Sequence, residues 1–276
     1  MSRPPGLPRA KRSLGQNFLI NPGVRDKIIA ALGATRSHWV VEIGPGPGAL
    51  TGPLTEQCAH VVAVELDREL AEALPTVVPR PEVLEVLLTD GARLDYAPLA
   101  LAAGRPLLLV GNLPFNAAAA ILRRALDQGS LFERLVLMFQ REVAVRLCAG
   151  PGSRDYGLLS VVTQQRARVN KLFDVSPGSF RPAPRVAASV VRFEPAPALS
   201  PCCLTVHDLV LRAAFAQRRK TLRNSLRAGA QWPWETLEPI LQEVGIPLEK
   251  RAETVPVAQW AALAQGICRA LGRCEI

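Results

Sequence analysis

Short apolar runs alternating with amphipathic segments fill the first two-thirds of this chain, and that rhythm restricts the fold more than any other feature. Trp39-Val40-Val41-Glu42-Ile43 reads as a first strand ending in a glycine-rich loop, and Gly48 to Gln57 opens a helix. His60 to Glu65 reads as the second strand, Val83 to Leu88 as the third and Pro106 to Val110 as the fourth, ending at Asn112. A helix is expected over Ala117 to Leu126, a fifth strand over Leu135 to Phe139 and a helix over Arg141 to Leu147. Leu158 to Gln164 and Val186 to Phe193 read as late strands. Strands alternating with helices in this way build an α/β, doubly wound, mostly parallel sheet.

The composition shifts at Glu194-Pro195-Ala196-Pro197-Ala198-Leu199-Ser200-Pro201, a proline-rich linker. Beyond it Val206 to Arg227, Glu235 to Val244 and Val257 to Leu271 carry helical spacing. Two domains are therefore expected, a sheet domain over 1–196 and a small all-helical domain over 197–276. In the helical part Leu211, Phe215, Leu222 and Leu226 share one face, with Arg212, Arg219 and Arg223 clustered on a neighbouring one. Such a cluster is either a solvated basic face or a contact to an RNA backbone.

Charge bears on that choice. Of 33 basic residues five are lysine, leaving 28 arginines, and the formal net charge is +9. Guanidinium forks match phosphates bidentately, which favours a polyanionic partner. The six cysteines form no CxxC pair and the three histidines are scattered, so no metal and reduced thiols are expected. No stretch reaches the roughly 18 apolar residues of a membrane helix. Met1 to Arg12 is basic and proline-rich without an apolar core, which argues against a secretory signal and for a cytoplasmic protein.

Four strand ends carry polar groups, and ligands of open α/β sheets bind outside the carboxyl ends of the strands. The loop Glu42-Ile43-Gly44-Pro45-Gly46-Pro47-Gly48 has glycines at GxGxG spacing, where the backbone can approach a ligand closely. A glycine-rich loop alone could equally hold NAD or FAD. The spacing here departs from the GxGxxG of a pyrophosphate cradle, and Glu65 ends the next strand, where a carboxylate can accept both hydroxyls of a ribose. Asp90 would accept from an adenine amino group. Each acid alone is an ordinary strand end or helix cap; the loop, Glu65, Asp90 and Asn112 at successive strand ends match the parts of S-adenosylmethionine, with a nicotinamide dinucleotide as the alternative.

Asn112-Leu113-Pro114-Phe115 offers an amide, a backbone carbonyl followed by a residue that cannot donate, and an aromatic face. That set suits holding a planar base and presenting its exocyclic amine to an electrophile.

With these motifs the chain resembles the KsgA-type small-subunit rRNA adenine dimethyltransferases, a family that includes the erythromycin-resistance methylases. The resemblance spans nearly the whole length. Lys11-Arg12-Ser13-Leu14-Gly15-Gln16-Asn17-Phe18-Leu19 is similar to the family's N-terminal signature, which closes over the cofactor. Phe139 to Ala144, Tyr156 to Ser160, Val175 to Val186 and Phe215 with Arg218 to Leu226 follow its later motifs. Phe115 stands where many members have tyrosine, Ala117 to Ala120 replace a more polar helix start, and Ala187 sits where aspartate is common.

The resemblance implies a Rossmann-like class I S-adenosylmethionine-dependent methyltransferase with a helical C-terminal domain that binds RNA. It assigns cofactor contacts to Gln16, Asn17, Leu19, Gly44, Gly46, Glu65, Asp90 and Asn112. Catalysis would rest on Asn112, Leu113, Pro114 and Phe115, with Phe180 as a second aromatic wall, and RNA contacts on Arg212, Arg219, Lys220 and Arg223. The implied reaction is dimethylation of two adjacent adenosines near the 3′ end of 16S rRNA, in an assembling small subunit, by a monomer. A 23S rRNA methyltransferase of the resistance type and a catalytically silent assembly factor are the alternatives.

Overall fold

The computed structural model describes Lys11 and residues 15–196, 199–217 and 219–272, and all that follows concerns those. The tail Met1–Ala10, the signature positions Arg12, Ser13 and Leu14, the linker positions Pro197 and Ala198, and Arg218 lie outside them.

In chain order the strands are β1 (Phe18–Leu19), β2 (Trp39–Ile43), β3 (His60–Glu65), β4 (Leu84–Leu88) and β5 (Leu107–Asn112). β6 (Phe132–Gln140), β7 (Ala167–Val175), β8 (Phe180–Arg181) and β9 (Ala188–Pro195) complete them. The helices are α1 (Pro22–Leu32), α2 (Thr51–Gln57), α3 (Arg68–Ala73), α4 (Ala97–Ala103), α5 (Ala118–Asp127) and α6 (Arg141–Cys148). α7 (Leu158–Gln164), α8 (Pro201–Phe215), α9 (Leu222–Gly229), α10 (Trp234–Glu243) and α11 (Val257–Ala270) follow.

Seven strands form one sheet in the order β4-β3-β2-β5-β6-β9-β7, and β1 pairs with β8 in a separate two-stranded ribbon. β2 runs parallel to β3 and β5, β4 parallel to β3, and β6 parallel to β5. β9 is antiparallel to β6. The expected doubly wound, mostly parallel sheet is therefore what forms. Because the chain leaves β2 toward β3 on one side and returns to β5 on the other, the crevice of a doubly wound fold opens at the carboxyl ends of β2 and β5.

Local chemistry fixes the ends of the helices. Asn21 caps α1 by accepting from the Val24 amide at 3.2 Å, and Gly33 closes the helix in the left-handed region. Asp67 caps α3, accepting from the Glu69 amide at 3.2 Å.

The chain divides into two compact units, one of residues 1–144 and 168–195, the other of 145–167 and 196–276. One boundary of these units, at 195/196, falls in the proline-rich stretch, and the segment 145–167 groups with the C-terminal helices. Leu158–Gln164 corrects the strand expected there, for it is the helix α7. Seven residues that mix Leu and Val with Ser, Thr and Gln are too few to carry a period that separates helix from strand. Here the Ser160 hydroxyl accepts from the Gly157 amide and donates to the Arg146 carbonyl, while Gln164 donates to the carbonyls of Leu147 and Ala149. The late strand that does form nearby, β7, was not anticipated. It lies at the sheet's edge and interleaves charges such as Arg168, Lys171 and Asp174 with its apolar residues.

In the helical unit the helix expected from Val206 to Arg227 breaks between Phe215 and Leu222. Thr221 caps α9, and the first amides of that helix are taken by another segment: Leu222 donates to Lys250 at 2.7 Å and Arg223 to Leu248 at 3.0 Å. Leu211, Leu222 and Leu226 nevertheless enter one core with Trp260 and Leu263, and Phe215 packs against it.

Candidate cofactor and substrate site

β2 delivers Glu42 and the loop behind it to the crevice. Gly44, Gly46 and Gly48 all have positive φ, at 68°, 55° and 87°, a region in which a Cβ would be strained. β5 can end beside this loop because Gly111 lacks a side chain: a Cβ there would lie 2.7 Å from the Ile43 carbonyl oxygen. Asn112 then follows directly, and its carbonyl oxygen faces Gly44.

A single cavity surface runs along these strand ends. Gln16, Asn17, Phe18 and Leu19 line it from the N-terminal segment, Glu42, Gly44, Gly46 and Leu50 from β2 and its loop, and Glu65 and Leu66 from the end of β3. Asn112, Leu113, Pro114, Phe115 and Asn116 complete it. Residues separated by nearly a hundred positions thus meet at one edge.

The Glu65 carboxylate is held by three backbone amides: Oε2 accepts from Gly46 at 3.2 Å, and Oε1 from Leu66 and Asp67, both at 2.9 Å. Burial raises its pKa, and the amides oppose that rise. Both oxygens retain acceptor capacity, enough for two vicinal hydroxyls. Glu42 is more deeply sunk, 1% exposed, and its Oε2 has no hydrogen-bond partner among the described residues. Burial, reinforced by the charge of Glu65, pushes its carboxyl up to about 8. An unpartnered buried carboxyl oxygen on a cavity wall suits a ligand bearing donors, and an ammonium would restore its charge. Leu66, 57% exposed at the lip, presents an apolar face beside Glu65.

Across the crevice the Asn112 amide nitrogen donates to the Asn17 carbonyl at 2.8 Å. Its Oδ1 has no hydrogen-bond partner among the described residues. Pro114 starts a turn in which its carbonyl accepts from Ala117 at 2.9 Å, and Phe115 is half-buried against the core beneath. The arrangement can accept hydrogens from an amine and stack a planar ring against it.

Ten of the cofactor and catalytic candidates lie on this surface: Gln16, Asn17, Leu19, Gly44, Gly46, Glu65, Asn112, Leu113, Pro114 and Phe115. Two do not. Phe180 is 3% exposed in the core, paired with Leu19 across the β1–β8 ribbon, so it supports the N-terminal segment from below instead of forming a wall. Asp90 lies off the surface, with its carboxylate accepting from Ala92 at 2.9 Å and near Arg93 at 3.7 Å. Glu42 and Leu66 also line the surface without being among the sequence candidates; the signal for Glu42 is an acid inside the otherwise apolar run of β2.

The basic candidates separate too. Arg212, Arg219 and Lys220 are exposed, but the break before α9 removes them from any shared helix face with Arg223. Arg223 is paired with carboxylates, Nε with Glu249 at 2.9 Å and Nη1 with Glu238 at 3.1 Å. Among the described residues no group of three or more His, Cys, Asp or Glu could hold a metal ion, and no helix is long and apolar enough to cross a membrane.

Known proteins match this architecture along its length. The chain is 42% identical over 257 residues to the ribosomal RNA small subunit methyltransferase A of Aromatoleum aromaticum, covering 92% of this chain and 93% of that one. It is 43% identical to the protein of the same name from Syntrophotalea carbinolica, covering 93% and 96%. A dimethyladenosine transferase from Plasmodium falciparum shares the fold, with a TM-score of 0.78 at 24% identity, over 92% of this chain and 98% of that one. The family model for ribosomal RNA adenine dimethylase matches residues 8–267, and the protein belongs to that family.

Proposed function

We infer that this enzyme transfers methyl groups from S-adenosylmethionine to the exocyclic amines of two adjacent adenosines near the 3′ end of 16S rRNA. It acts as a monomer in the cytoplasm, on the small subunit during assembly. The observation that carries the reading is the convergence of a ribose-competent carboxylate, Glu65, and an amine acceptor, Asn112, on one cavity surface.

In this reading Glu65 accepts from the ribose hydroxyls of the cofactor, Leu66 covers the nucleoside base, and the unpartnered oxygen of Glu42 faces the amino end. Gln16, Asn17 and Leu19 close the site from above the glycine loop. S-adenosylmethionine would supply a methyl group on a sulfonium: the N–C bond forms as the C–S bond breaks, the neutral thioether S-adenosylhomocysteine leaves, and the amine releases one proton to water for each methyl it gains.

An adenine amine is a weak nucleophile because its lone pair is delocalised into the ring. Asn112 Oδ1 and the Leu113 carbonyl each accept one of its hydrogens, which draws the nitrogen toward a tetrahedral shape and aims its lone pair. Pro114 contributes no competing donor, and Phe115 stacks on the base. Orientation of this kind can be worth about 7–11 kcal/mol of barrier. The target base has to be unstacked to enter. Arg212, Arg219 and Lys220 supply charge for the RNA backbone.

Labelled S-adenosylmethionine with immature small or large subunits, followed by mapping of modified bases, tests the reading. Label on two neighbouring adenosines near the 3′ end of 16S rRNA is expected. Label confined to the large subunit, or none, overturns it.

A further inference from the structure

The orientation of the Asn112 amide is set from outside the catalytic tetrapeptide. A backbone carbonyl can only accept, so the Asn17 oxygen at 2.8 Å requires the amide nitrogen to face it and turns Oδ1 the other way. Rotating the amide by half a turn would bring two acceptors together. Whatever holds Asn17 in place therefore decides which end of Asn112 is offered to the amine.

Two fastenings hold that segment, one on each side of Asn17. On the C-terminal side Phe18 and Leu19 pair with Arg181 and Phe180, and the Ile20 amide donates to the Ser179 carbonyl at 2.8 Å. On the N-terminal side the anchor is one buried carboxylate, Asp67, 2% exposed. Its Oδ1 accepts from Lys11 Nζ at 2.7 Å and its Oδ2 from Gln16 Nε2 at 3.1 Å, while the Lys11 amide donates to Gln16 Oε1 at 2.7 Å. Burial opposes the charge on Asp67, yet the hydrogen bonds from Lys11 and Gln16 hold its pKa below the ordinary value. Asp67 also caps α3 and donates its own amide to Glu65, so the anchor is fixed to the sheet and not to a loose loop.

We propose that Asp67 and Lys11 are positioning residues for methyl transfer: their ion pair pins the N-terminal segment so that the Asn17 carbonyl presents Asn112 Oδ1 to the substrate amine. The proposal rests on the amine-orienting reading of Asn112. Neither residue need touch the reacting atoms, and nothing in the tetrapeptide itself performs this task.

Lys11→Met tests it, because it removes the ion pair and leaves the Asp67 cap of α3 and the Glu65 contacts in place. The side-chain amide signals of Asn112 in a nitrogen-15 spectrum, assigned by their loss in Asn112→Ala, report the hydrogen bond without any turnover. In Lys11→Met they should move toward free-asparagine positions, and in Lys11→Arg return to the wild-type ones. Single-turnover methylation at saturating cofactor and RNA should fall about tenfold in Lys11→Met, within what sub-ångström misplacement of a reacting group costs, and recover in Lys11→Arg. Unchanged amide signals, or a wild-type rate at saturation, overturn the proposal. If Asn112→Ala is itself as fast as wild type, the fault lies with the amine-orienting reading; if Asn112→Ala is slow and the Lys11→Met signals stay in place, only the positioning role fails.

Discussion

The carboxyl edge of the sheet and the arginine-rich stretch around α9 drew on the same kind of sequence signal, and they came out differently. At the sheet edge Gln16, Glu65 and Asn112, far apart in the chain, line one surface. Around α9 Arg219 and Arg223, four positions apart, part company: one is exposed and the other is locked between two glutamates. Parallel pairing explains the first outcome, since register in a central sheet is over-determined by neighbours on both sides and places every strand end at the same edge. A helical face has no such protection. It exists only while the helix continues, and here α8 stops at Phe215 and α9 starts afresh at Leu222 behind the Thr221 cap.

The comparison is sharpened most by Asn112→Ala. Losing one preorganised polar contact should lower single-turnover methylation at saturating S-adenosylmethionine by about 10²–10³. A wild-type rate would reduce the tetrapeptide to a strand exit. Glu42→Gln probes the same edge through stability. The folded carboxyl, at about 8, lies above its ordinary 4.5, so its contribution is fully present below the unfolded value and is lost as pH rises through the folded one. Without cofactor, urea unfolding should show wild type losing roughly a few kcal/mol between pH 5 and pH 8.5 that the glutamine variant keeps, at 1.36 kcal/mol per unit. Parallel pH profiles for the two proteins would mean that the buried acid stays charged.

Smaller effects distinguish the ligand carboxylate from the surface arginines. Glu65→Ala should weaken S-adenosylmethionine binding by about 1.5–3 kcal/mol, the worth of charge-assisted hydrogen bonds. Calorimetry that finds full affinity in the folded variant removes the ribose assignment. For the helical unit, replacing Arg219 and Lys220 together should flatten the log–log salt dependence of subunit binding by about two units, one per phosphate neutralised. Arg223→Ala should leave that slope alone. Equal flattening by Arg223→Ala would mean its glutamates release it on RNA.

Sheet, crevice and most of the candidate surface were legible because they rest on strand-end positions: Gly44, Glu65 and Asn112 follow from where the strands end. What escaped depended on tertiary context. α7 was read as a strand because Leu158–Gln164 is too short to carry a usable period, and only the Ser160 and Gln164 hydrogen bonds decide it. The wall role of Phe180 rests on the resemblance alone, and a strand pairing with Leu19, which seats Phe180 in the core, has no local sign in the sequence. The link from Lys11 to Asp67 spans 56 residues and leaves no local trace.

A crystal structure with bound S-adenosylhomocysteine tests the central claim, that the carboxyl ends of β2, β3 and β5 together hold the cofactor and aim the amine. Both ribose hydroxyls should lie on the Glu65 carboxylate, with the amino end toward Glu42 and the sulfur turned to Asn112 and Phe115. A nucleoside held away from Glu65, or a sulfur facing away from Asn112, would contradict it.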